Sequence, residues 1–186
     1  MNKRKALIGV LILALAGASF AQSNPTPPPS GYEDLLQTEI RGMSEEMIQT
    51  YRAGGGGGLA LPAELNGYPG PRHVLDLADD LELTAEQREQ IQALYDLMQL
   101  EAIRLGEAIL VGEAELEGTF REQTIDERSL EAQLTDLGTL QTELRFVHLR
   151  THLATVEILT PNQVERYNIL RGYAAENSDQ GQHGNH

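Results

Sequence analysis

Apolar side chains at Ile91, Leu94, Met98, Leu105, Ile109, Leu116 and Phe120 recur at multiples of three and four. That spacing lays one greasy stripe along a helix. Gln133, Leu137, Leu140, Leu144, Val147, Thr151 and Ile158 continue the period in a second segment. Each segment runs about 35 residues, hence roughly 50 Å at the rise of an α-helix. Joined at Gln123 and Thr124, two such rods are expected to fold back as an antiparallel hairpin. No alternating strand pattern of useful length is present, so the predicted fold class is all-α. Gly106, Gly112 and Gly118 each weaken the first rod by up to about 1 kcal/mol relative to Ala. They mark bends or close helix contacts, and the sequence leaves the two open.

Shorter elements flank the rods. Ser44 is suited to cap a short helix through Tyr51, Leu59 to Leu65 suits one turn or two, and His73 to Leu81 suits another short helix. NGYPGP (Asn66 to Pro71) breaks the chain before that last one. Gly54 to Gly58 is a run of five glycines, read as a flexible hinge. A phosphate loop is excluded there, because no Lys-Ser or Lys-Thr follows and no strand precedes.

The start of the chain reads as an export address. Lys3, Arg4 and Lys5 precede an uncharged, mostly apolar run from Ala6 to Gly17, and Ser19 and Ala21 suit cleavage after Ala21. The run is too short to span a bilayer comfortably, so no stable membrane insertion is expected after cleavage. Residues 1–21 are therefore assigned to a signal peptide and the mature protein to the periplasm. Residues 22–58 form a Pro- and Ser-rich linker, a short helix and the glycine hinge. Residues 59–176 form the helical domain, and 177–186 a disordered polar tail.

Charge narrows the function. The chain of 186 residues carries 14 Lys plus Arg against 28 Asp plus Glu. Removing residues 1–21 leaves no lysine, 11 arginines and a formal charge of −17. Nucleic acid binding needs clustered cations to displace counterions, so it is excluded. The absence of cysteine removes disulfides, thiolate chemistry and Cys-based zinc sites. No GxSxG, Ser-His-Asp set or dinucleotide fingerprint is found, so an enzyme is not expected.

Two tetrads, Thr84-Ala85-Glu86-Gln87 and Thr160-Pro161-Asn162-Gln163, share the logic of a capping box. The Thr hydroxyl accepts from the third helical N–H, and the Gln reaches back to the Thr N–H. Thr124 to Glu127 offers a third possible box. Pro161 suits the first helical position, and Leu159 with Val164 has the spacing of a hydrophobic staple. Helix starts alone explain these tetrads. Extended by one residue, however, LTAEQ (Leu83, Thr84, Gln87) and LTPNQ (Leu159, Thr160, Gln163) resemble the paired LTxxQ motifs of the Spy/CpxP periplasmic chaperone family. The resemblance covers about residues 73–173. It implies an all-α fold and a curved antiparallel dimer. It also implies ATP-independent holding of unfolded clients in envelope stress or, alternatively, a zinc- or copper-binding sensor or buffer. A strongly acidic mature chain departs from the basic client surface associated with Spy-like members, and residues 32–71 have no counterpart in that pattern.

Two sets of residues are candidates for function. The apolar stripe, represented by Leu94, Met98, Leu105, Leu137 and Leu144, would hold unfolded or partly folded proteins or form the core. A two-helix hairpin cannot cover both of its faces, so a homodimer is expected. His148 and His152, four apart in HLRTH, share a helix face and can ligate one transition ion, with His73 a possible third donor. At about 100° per residue they sit at the border of the apolar stripe, where half-buried packing is the alternative reading. Leu149 in place of Glu excludes a zinc-protease helix. His183 and His186 read as solvated.

Overall fold

The computed structural model describes residues 31–174, of which residues 32–174 belong to one compact unit. The proposed signal peptide, the Pro-rich stretch to residue 30 and the polar tail with His183 and His186 lie outside the described residues. A short 3-10 turn, Glu33–Leu36, leads into α1 (Glu45–Arg52) and α2 (Leu61–Glu64). Then come α3 (Pro71–Asp76), the rods α4 (Ala85–Arg121) and α5 (Glu127–Ile158), and α6 (Pro161–Leu170). Among the described residues there is no strand, and no helix is long and apolar enough to cross a membrane.

The rods form the expected antiparallel hairpin of 37 and 32 residues. The turn differs in detail. Asp126, not Thr124, caps α5: its side chain accepts from the Ser129 N–H at 2.8 Å, and Ser129 Oγ accepts from the Asp126 N–H at 3.0 Å. A carboxylate beside a helix N-terminus is favoured by the dipole as well as the hydrogen bond. Those bonds hold the Asp126 carboxyl below its ordinary range, with the Ser129 hydroxyl contributing most. Gln123 makes the turn in a left-handed conformation (φ 57°).

Three apolar clusters hold the molecule together. The base is built from Val74, Ala78, Leu81, Leu83, Ile91, Leu159 and Tyr167. The middle of the hairpin is built from Met98, Ala102, Leu105, Ile109, Leu137, Leu144 and Val147. The third contains Ile40, Met43, Ile48 and Leu110, and it fastens the segment before the rods onto α4. Residues 32–58 are therefore not a free linker. Ser44 caps α1 as expected, and α1 lies along α4 with Tyr51 bridging two of the clusters.

That contact explains Gly106. A Cβ there would overlap the carbonyl oxygen of Tyr51, so only glycine lets the α1 backbone sit this close. Gly112 answers to a second contact, since its Cβ would press on Leu137 Cδ2 at 2.8 Å. Gly118 has open space, its nearest neighbour being an Arg121 nitrogen at 3.7 Å.

Candidate functional site

The two LTxxQ motifs meet at the base of the hairpin. Both capping boxes form as expected, but each glutamine also does something the spacing does not reveal. Gln87 Nε2 donates to Gln163 Oε1 at 2.8 Å and Gln163 Nε2 to Gln87 Oε1 at 3.0 Å. The second N–H of each amide reaches a carbonyl of the opposite half, Ile158 O for Gln87 at 3.0 Å and Leu81 O for Gln163 at 3.2 Å. Each Oε1 also accepts from its own Thr N–H. Every donor of both amides is thus used, and helix starts alone do not account for the glutamines. Leu83 and Leu159, which open the motifs, are buried in the cluster below.

The histidines gather around a cavity of about 400 Å³ walled by Gly54 to Gly58, α2, α3 and α5. His148 and His152 are 5% and 8% exposed, deeper than a border position suggests. The cause is backbone packed on top of them. A Cβ on Gly56 would lie 3.3 Å from the His148 ring, and one on Gly70 2.8 Å from His152 Cε1. The glycine run is therefore a fitted wall in this conformation, and its lack of side chains admits the His148 imidazole, as Gly70 admits that of His152.

His152 Nδ1 lies 2.7 Å from Tyr68 O. A carbonyl can only accept, so Nδ1 carries the proton and, in the neutral ring, Nε2 the lone pair. His148 Nε2 is buried and has no hydrogen-bond partner. Burial, followed by the charge of nearby His152, pushes the His148 pKa down, which keeps its imidazole neutral.

His73 does not join this pair as a third donor. Its Nδ1 lies 3.3 Å from Glu64 Oε1. Glu64, buried at 5% exposure, is the centre of a polar hub that sequence reasoning missed. It accepts from the hydroxyl of Tyr167, from the Tyr173 hydroxyl at 3.2 Å and from the Gly70 N–H at 3.1 Å. Arg171 Nε stands 3.6 Å away. Burial first, then the bond to Glu64, raises the Tyr167 pKa and keeps it a donor. A lone Glu in LPAEL looks like surface, and no local pattern marks it. Among the described residues no three His, Asp or Glu side chains are placed to hold one ion. The donor set therefore stops at two imidazoles, short of the usual complement of a resident metal.

Of the five stripe residues, Met98, Leu105, Leu137 and Leu144 are buried and Leu94 is half-buried. The covers are α5 and, on α4, the preceding segment. While this packing holds, that face is core and out of reach of a client.

The opposite face of the hairpin is open. Arg150 of α5 bonds Glu101 of α4 across it, with its guanidinium 5.6 Å from the Phe146 ring centre. One turn away on either rod lie Leu97, four residues before Glu101, and Leu153, three after Arg150. Leu97, Phe146 and Leu153 are 60%, 60% and 55% exposed, and Leu100 is 68% exposed. Leu94 and Leu97 also line a shallow groove with Glu157 and Ile158.

A family model for LTXXQ motif family proteins matches residues 71–171. No curated protein sequence and no solved structure matches the chain. The matched span begins at the first residue of α3 and ends just past α6, so it takes in both motifs and the whole hairpin.

Proposed function

Because the chain belongs to the LTXXQ motif family, we propose that it is an exported, periplasmic envelope-stress protein that holds unfolded clients without ATP. The observation that carries this reading is the open apolar stripe of Leu97, Leu100, Phe146 and Leu153 on the outer face of the hairpin. A stripe of large exposed apolar groups rimmed by charges suits non-specific contact with greasy segments. The same stripe, or the exposed Phe120 and Leu134 toward the hairpin tip, gives a second copy of the chain a surface for a homodimer. The expected result is suppression of light scattering by a heat- or reduction-unfolded client in the absence of nucleotide. Leu97→Ser with Leu153→Ser, both exposed, should abolish most of it while leaving helicity intact. Full activity in that double variant would remove the stripe from the reading.

A second reading, a zinc- or copper-binding sensor or buffer, draws on the two buried imidazoles four residues apart and on the unpartnered His148 Nε2. Titration calorimetry of the wild type against a His148→Ala, His152→Ala double variant tests it. Equal heats from the two proteins would exclude the pair as ligands.

A further inference from the structure

The surface of α4 beneath α1 has an unusual composition for a helix seat. Gly106 and the fully buried Ala102 make it smooth. Gly106 admits a main chain at a distance no other residue would allow. One helical turn and more before it, Gln99 donates its side-chain N–H to the carbonyl of Ala53. Gly54 lies against Ile103. The seat thus meets its occupant through backbone atoms at Tyr51, Ala53 and Gly54 and through apolar burial of Ile40, Met43 and Ile48 beside Leu110. Recognition of backbone and generic greasiness does not depend on the occupant's sequence.

The occupant is held to the rods by apolar burial, by the close approach at Gly106 and by the Gln99 bond. Arg52, at the end of α1, pairs with Glu39 of its own segment. After Ala53 come five glycines, three of them (Gly54, Gly57 and Gly58) at positive φ, residues with wide backbone freedom. Beneath it lie Leu105, Ile109 and Leu110, continuous with the apolar middle of the hairpin.

We propose that this seat is a second client-binding surface and that the segment from Ile40 to Ala53 is its built-in, displaceable occupant. The partner it fits is an apolar segment of an unfolded polypeptide able to take up a turn or two of helix. The client takes the place of α1 and the glycine run carries α1 aside. This inference rests on the holding function above and adds where a bound client lies and what it must displace.

Hydrogen exchange on the whole protein tests it, with reduced and carboxymethylated α-lactalbumin, which cannot refold, as the probe. Saturating probe should strip protection from amides of residues 45–54 while residues 98–110 stay protected. Gly106→Ala, whose added methyl meets the Tyr51 carbonyl, should release α1 without probe yet weaken probe binding, because the same methyl bars a client main chain from the seat. Ile48→Asp, on α1, releases the occupant with the seat intact and should tighten probe binding at least fivefold, and circular dichroism confirms that the rods persist. Probe binding with 45–54 still protected, or the Ile48→Asp variant binding no tighter than the wild type, overturns the inference and leaves the holding function standing. No binding by any of the three proteins, with α1 shown to be released in the variants, takes down both.

Discussion

Gln87 and Gln163, 76 positions apart, hold each other's side-chain amides in a reciprocal pair at 2.8 and 3.0 Å. The pair closes the base of the hairpin and ties the start of α4 to the start of α6. Each glutamine serves as helix cap and cross-link at once, so its loss should cost more than an ordinary cap. Leaving a half-buried amide and a carbonyl unmatched costs about 1–3 kcal/mol. Gln87→Ala and Gln163→Ala should each destabilise by that order in urea unfolding. The double variant should lose less than the sum, with a coupling of about 0.5–3 kcal/mol. Strict additivity would mean the two amides do not act as a pair.

The threonines of the same motifs act only within their own helices. Thr84→Ala and Thr160→Ala should each cost about 1 kcal/mol. A Thr84→Ala, Gln163→Ala combination should show weaker coupling than the two glutamines do, which the same denaturation series measures.

Glycines in the rods separate by what surrounds them. Gly138 sits mid-helix with nothing near its missing side chain, and Gly118 has open space. Alanine at either should stabilise by about 0.5–1 kcal/mol, the helix-propensity difference. Gly106→Ala should have the opposite sign. Thermal melts of the three single variants decide it, and destabilisation at Gly138 would show that the site is more crowded than described.

Acid should weaken the fold through His148. Burial depresses its folded pKa, with His152 adding to the effect. The unfolded chain therefore takes up this proton first as pH falls through about 6.5, the unperturbed value. Below that pH the proton favours the unfolded state, and the loss continues down to the depressed folded pKa. Above it, the contribution is fully present. His148→Gln should flatten the stability profile below about pH 6.5. An unchanged slope would shift responsibility to other groups.

The Glu64 hub is the least forgiving polar contact outside the motifs. Glu64→Leu removes the acceptor of Tyr167, Tyr173 and the Gly70 N–H together. Unmatched donors of that kind, with a charge nearby, point to a loss of about 2–3 kcal/mol in chemical denaturation. Tyr167→Phe should cost less, because it leaves Glu64 its other donors.

Periodicity made the two rods, their antiparallel pairing and the capped starts of α1, α4 and α6 legible, because local rules govern all of them. Asp126 was missed because Thr124 and Asp126 both suit a cap and only the turn through Gln123 chooses between them. Long-range relations left no local trace. Nothing in LTAEQ says that its glutamine faces another glutamine, and nothing in LPAEL says that Glu64 is buried. The glycine run read as a hinge by composition. Its role as a wall over His148 depends on where α1 docks, which is encoded partly in Gly106, about 50 positions away. The histidine pair was visible as a spacing, but its depth depended on Gly56 and Gly70 from elsewhere.

The third cluster stops at Leu110, and what lies beyond it on the rods is only two helices thick. Val111, Phe120 and Leu134 there are mostly in solvent. The molecule is therefore braced at its root and bare at its far end, so thermal fraying should begin at the Gln123 bend and travel rootward. Heat or denaturant would loosen that outer third first, making it the most readily reshaped region of the hairpin.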